Sequence, residues 1–102
     1  MVARAWRGAT AAADADAYVE YLEQTGVRDL RATPGNGDVR VLRRVRDDGL
    51  AEFWVISFWE SRAAIEAFAG PVIERAVFYP EDDRYLVERD LTATHHEVSV
   101  GP

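Results

Sequence analysis

The chain has 102 residues, 48% of them hydrophobic and 11% aromatic, with no cysteine and a formal net charge of −6. That length allows one domain, residues 1–102, with a single core. The missing cysteines exclude a disulfide framework and thiolate metal sites, and fit a reducing compartment. Eighteen acids against twelve bases argue against a nucleic-acid partner. Every base is arginine, a mark of GC-rich coding. With neither a charged-then-apolar leader nor an apolar run of membrane-spanning length, the expectation is a soluble, cytoplasmic protein with no membrane partner.

In chain order, Val2 to Gly8 reads as a first strand. Thr10 is placed to cap a helix to about Gln24, with Asp14 and Asp16 near its positive end and Gly26 at its close. Its apolar stripe is Ala15, Tyr18, Val19 and Leu22. Pro34 to Asp38 is a loop. Arg40 to Arg46 and Phe53 to Trp59 then flank the turn signal Asp47-Asp48-Gly49, the pattern of an antiparallel hairpin. Ser61 caps a second helix with Ala64, Ile65 and Phe68 on its stripe. Gly70-Pro71 interrupts that helix, which a further turn or two extends to about Tyr79. Pro80 to Asp83 is an acidic turn that caps a short helical piece through Leu86, and a last strand runs from about Ala93 to Val100. The order β-α-β-β-α-β predicts an α+β, ferredoxin-like fold: a four-stranded antiparallel sheet with both helices on one face.

The run Phe53-Trp54-Val55-Ile56-Ser57-Phe58-Trp59 is the most informative segment, because it does not alternate between apolar and polar. A strand with one wet face should alternate. Two helices can cover one face of the sheet, so the other face calls for a second copy of the chain, giving a homodimer.

Three segments resemble the antibiotic-biosynthesis-monooxygenase-like proteins of the dimeric α+β barrel superfamily. They are Ala3 to Gly8, Ser57 to Ser61 leading into Ala64 to Gly70, and Ala76 to Asp82, with His95-His96-Glu97-Val98 fitting the terminal strand. The resemblance implies two sheets meeting back to back across a dimer, with a pocket in each subunit between its sheet and its own helices. The family includes cofactor-free oxygenases acting on aromatic polyketides, haem-degrading oxygenases and members of no assigned activity. By this resemblance Trp59 stands where a pocket tryptophan is usual. The pocket asparagine of the cofactor-free oxygenases has no counterpart, since Asn36, the one asparagine, lies in a glycine-rich turn. The haem degraders carry a histidine after the second helix and an asparagine on the first strand. Here those places hold Val72 to Tyr79 and Trp6-Arg7, so haem degradation is disfavoured and no cofactor is expected.

The residues themselves define the candidates. Alternation puts Phe53, Val55, Ser57 and Trp59 on one face of their strand, and Trp54, Ile56 and Phe58 on the other. If Trp59 faces the pocket, Ser57 does too. His95 and His96 are the side chains that titrate near neutrality, and adjacent strand positions point them to opposite faces. His96, sharing a face with Val98 and Val100, is expected to be the more buried; His95 shares its face with Glu97. Either is a candidate general base toward a phenol or enol, with Trp59 as the third catalytic candidate. Candidates for substrate contact are Arg4, Trp6, Ser57 and Tyr79. Arg4 and Arg7 lie on opposite faces of the first strand, and each suits either a carboxylate or phenolate ligand or a salt bridge. His95-x-Glu97 lacks a third ligand for a metal. Two functions fit: a cofactor-independent monooxygenase acting on a small aromatic or polyketide-like compound, and a non-catalytic dimeric module that binds a small hydrophobic ligand.

Overall fold

The computed structural model describes residues 1–101. Strand β1 (Val2–Ala11) is followed by a short 3-10 turn, then helices α1 (Ala15–Gln24) and α2 (Gly26–Ala32). The hairpin β2 (Asn36–Val45) and β3 (Leu50–Trp59) precedes helix α3 (Arg62–Ala69). After an irregular strap, residues 70–81, come the single turn α4 (Asp82–Tyr85) and strands β4 (Leu86–Arg89) and β5 (Thr94–Glu97). All pairings are antiparallel, in the order β2-β3-β1-β4. The fold is the expected α+β, ferredoxin-like arrangement with one change: two short strands share the sheet's last position. β4 pairs with Gly8 to Thr10, and β5 with Val2 to Ala5.

The hairpin forms around Gly49, whose φ of 82° suits glycine, and Arg46 N donates to Leu50 O at 2.8 Å. Ser61 caps α3 as its sequence position indicates, its Oγ accepting from Ala64 N at 3.1 Å. Other boundaries move. Thr10 is not a cap: it continues β1, pairs with Ala51 and Leu86, and is fully buried. Gly26 opens α2 instead of closing the helical region, because Val27 and Leu30 have an apolar face to bury. Asn36 belongs to β2, and its side-chain amide donates to Phe58 O at 3.3 Å. The preceding Gly35, at φ 91°, lies so close to α3 that a Cβ there would sit 2.6 Å from Ala64 Cβ.

No helix forms between Gly70 and Tyr79. Gly70 leaves α3 at φ 83°, and the strap turns to the sheet edge, where Ala76 N donates to Leu91 O and Ala93 N to Glu74 O. The last strand ends at Glu97, short of Val100.

The core lies between the helices and one face of the sheet: Tyr18, Leu22, Val27, Leu30, Phe53, Trp59, Ile65 and Leu86 are all buried there. β3 sorts by alternation as expected. Ala51, Phe53, Ser57 and Trp59 point at the helices, while Trp54, Ile56 and Phe58 lie on the other face, open in the single chain with Trp54 37% exposed. Trp59 is 0% exposed, and its indole N–H donates to Ser57 Oγ at 2.8 Å, so this large ring is buried without an unpaired donor. Trp59→Ala is expected to lower the unfolding free energy by about 3–5 kcal/mol in urea denaturation. Ser57→Ala, which strands the indole donor, should lower it by about 1–3 kcal/mol.

Candidate functional site

Between the sheet's helix face and the covering layer of α1, α2, α3 and the strap lies a cavity of about 50 Å³. β1 contributes Arg4 and Trp6, β3 contributes Ser57, and Tyr79 and Asp82 enter from the strap and α4. Four residues marked by the sequence as substrate contacts therefore do meet at one cavity. Trp59 lies beside it in the core, absent from the lining, with its ring 6.4 Å from that of Phe68.

The two arginines of β1 separate by environment. Arg7 faces the open side, where its guanidinium meets Glu52 and Glu88 at 3.2 Å and Asp90 at 3.5 Å. Arg46 joins the same network through Glu88 at 3.0 Å. Arg4 is 5% exposed and, among the described residues, has no acid within ion-pair distance. It donates instead to neutral acceptors: Nη1 to Ile73 O and toward His95 Nε2 at 3.0 Å, and Nη2 to Arg75 O at 2.9 Å. Burial lowers the Arg4 pKa, with a partial opposing effect from the more distant Glu74. A guanidinium has five N–H groups, so two of them remain to serve a ligand. A buried cation without a counter-ion is a strong attractor for an anion.

The other polar groups are held in place. Trp6 Nε1 donates to Asp90 O at 2.8 Å, and its ring folds over Gly8, where any Cβ would sit 2.6 Å from the indole. Tyr79 hydroxyl donates to Asp29 Oδ2 of α2 at 2.8 Å; burial, then this carboxylate, raise its pKa. Burial and, to a lesser degree, Asp82 likewise hold the phenol of Tyr18 in its neutral form. Asp82 is buried, and its Oδ2 accepts from Tyr79 N at 2.6 Å. Burial raises its pKa, and the Tyr79 hydrogen bond and Arg89 only partly offset that rise. A carboxylate pushed upward beside a cavity holds a proton more readily than an ordinary one, which suits it to proton transfer.

The histidine expectation is reversed. His96, expected to be the more buried, is exposed on the open face beside Thr94, because the register pairs it with Ala3. His95 is half-buried and turns to the helix side opposite Arg4, but it borders an outer cleft with Arg62 and Glu74, not the cavity. Asp82 and Tyr18 are the cavity groups that sequence reasoning passed over. Tyr18 stood out as part of a helix stripe and Asp82 only as a solvated turn; nothing local marks either as facing a cavity.

A family model for antibiotic biosynthesis monooxygenase matches residues 4–70. Solved structures similar in fold include a Bacillus cereus protein proposed to be an antibiotic biosynthesis monooxygenase, at 16% identity and TM-score 0.70, covering 99% of this chain and 95% of that one. A protein of the same proposed kind from Nitrosomonas europaea has 14% identity and TM-score 0.67, covering 98% and 100%. The haem degrader MhuD of Mycobacterium tuberculosis, with two haems bound in its active site, has 22% identity and TM-score 0.61, covering 100% and 99%. None of the curated proteins matches the chain. No helix among the described residues is long and apolar enough to cross a membrane.

The Asp82 environment has a measurable consequence for stability. Its pKa is higher folded than unfolded, so ionisation favours the unfolded chain as pH rises through the interval between the two values. Relative to wild type, Asp82→Asn should therefore gain stability as pH rises from acid through that interval, then level off. Urea unfolding across a pH series measures this.

Proposed function

As the chain belongs to the antibiotic biosynthesis monooxygenase family, we propose that it is a cofactor-independent monooxygenase acting on a small aromatic compound held as a phenolate or enolate. The observation that carries this reading is Arg4: a buried guanidinium without an acid partner among the described residues, at a cavity walled by Trp6, Tyr18 and Phe68. Asp82, not a histidine, is the base best placed to begin the reaction. It takes a proton from an activated CH₂ of the substrate, and Arg4 holds the resulting anion. The anion gives its electrons to dioxygen and forms a hydroperoxide, reprotonated from Asp82. Loss of water then leaves a carbonyl, so one oxygen atom enters the product and the other leaves as water. A neutral Tyr79 and Trp6 shape the chamber.

At about 50 Å³ the cavity takes only a few atoms, whereas drug-sized ligands occupy several hundred. A ring enters by lifting the strap, which is pinned by Arg4 at Ile73 and Arg75 and by Asp29 at Tyr79. Haem does not fit the residues present. The strap has no histidine, and Tyr79, its one phenol, is engaged by Asp29.

The protein acts, in this reading, as a homodimer. Trp54, Leu42, Ile56 and Phe58 give the open sheet face an apolar band that a second copy would cover. Light scattering should find a dimer at micromolar concentration. Trp54→Ala should shift it toward monomer with little change in the unfolding of the single chain.

The small cavity, with both histidines outside it, supports a second reading: a binding module for a small anionic aromatic ligand, without turnover. Oxygen uptake with anthrone-like compounds, which carry the activated CH₂, separates the two. Uptake that falls at least about tenfold in both Arg4→Met and Asp82→Asn supports the oxygenase. Arg4-dependent binding with no uptake supports the module.

A further inference from the structure

His95 touches the cavity's cation from outside the cavity, and it titrates. We propose that His95 is a positioning residue and proton-linked sensor of the Arg4 anion site: an anion bound at Arg4 draws a proton onto His95, so affinity for the anion rises as pH falls. The inference rests on reading Arg4 as the cavity's anion holder.

The geometry sets the protonation state. Arg4 and His95 are directly paired across β1 and β5, with Nη1 and Nε2 3.0 Å apart. A guanidinium can only donate, so Nε2 is the acceptor and the ring proton sits on Nδ1. Arg4 from β1 and Arg62 from α3 disfavour a charged ring, Glu74 from the strap favours one, and the neighbouring His96 adds a small opposing effect from the other face. Burial is the largest influence, and together they lower the His95 pKa, leaving it neutral at neutral pH.

Protonation at Nε2 cannot coexist with the hydrogen bond from Arg4. The guanidinium must turn away, which frees an Nη1 N–H for the cavity. An anion at Arg4 also cancels part of the charge that repels a proton from His95. Both effects have the same sign, and linkage makes them reciprocal. The His95 pKa is therefore higher in the bound protein than in the free one. Between the two values the bound form holds more protons, and affinity climbs with acidity; above both it is flat.

Benzoate, a carboxylate ionised from about pH 5.5 to about pH 8, is a suitable probe. Calorimetric titrations would compare wild type with His95→Gln, whose amide oxygen can accept from Arg4 but does not titrate. The wild-type Kd should tighten about three- to tenfold from the alkaline to the acid end, while that of His95→Gln stays flat. In parallel, the NMR titration of the His95 ring should move to higher pH with saturating benzoate, and also in Arg4→Met. Arg4-dependent binding with the same pH profile in wild type and His95→Gln overturns this inference and leaves the anion site standing. An unchanged His95 titration in Arg4→Met likewise overturns the coupling alone. Failure of benzoate to bind wild type at any pH overturns the anion site and this inference together.

Discussion

The guanidinium of Arg4 ties together parts of the molecule that little else joins. It rises from the middle of the sheet, grips the strap through the carbonyls of Ile73 and Arg75, and meets the last strand at His95. The strap has little regular structure of its own: one isolated bridge, Arg75 to Thr92, and a few backbone bonds hold it to the sheet edge. Burying that charge without a carboxylate beside it is unfavourable unless its N–H groups are satisfied, and backbone carbonyls supply the needed oxygens. The placement of the charge and the anchoring of the strap over the cavity are thus one structural fact.

Sequence patterning exposed the frame. The hairpin, the Ser61 cap, the stripes of α1 and α3 and the two faces of β3 all follow from short-range rules that depend on spacing alone. What it hid depends on long-range pairing. Thr10 looks like a cap until Ala51 and Leu86 claim it for the sheet. Leu86 to Arg89 is too short to announce a strand and becomes one only against β1. The site divides in the same way. Arg4, Trp6, Ser57 and Tyr79 were readable as candidates, but the contrast between Arg4 and Arg7 was not, because it lies in which face carries acids. The histidines were misjudged for a related reason: the apolar neighbours of His96 belong to a face that the single chain leaves open.

That open face is neither wholly apolar nor wholly polar. Arg7, Arg46, Glu52 and Glu88 bond to one another at one end of it, and Trp54 turns its indole N–H to Glu52 at 3.2 Å. Half-exposed ion pairs of this kind contribute little to stability in water but fix the rotamers of long side chains. They leave this surface ordered in the single chain, and any partner meeting it would be selected for matching charge.

Gly8 carries a further consequence. Its missing side chain is what allows the Trp6 indole to lie flat along the strand, since a methyl group there would collide with the ring. The chamber's capacity is thus governed by an atom the protein lacks. A relative bearing alanine at this position would have to swing its tryptophan aside, and so would accommodate molecules of a different girth with every polar group unchanged.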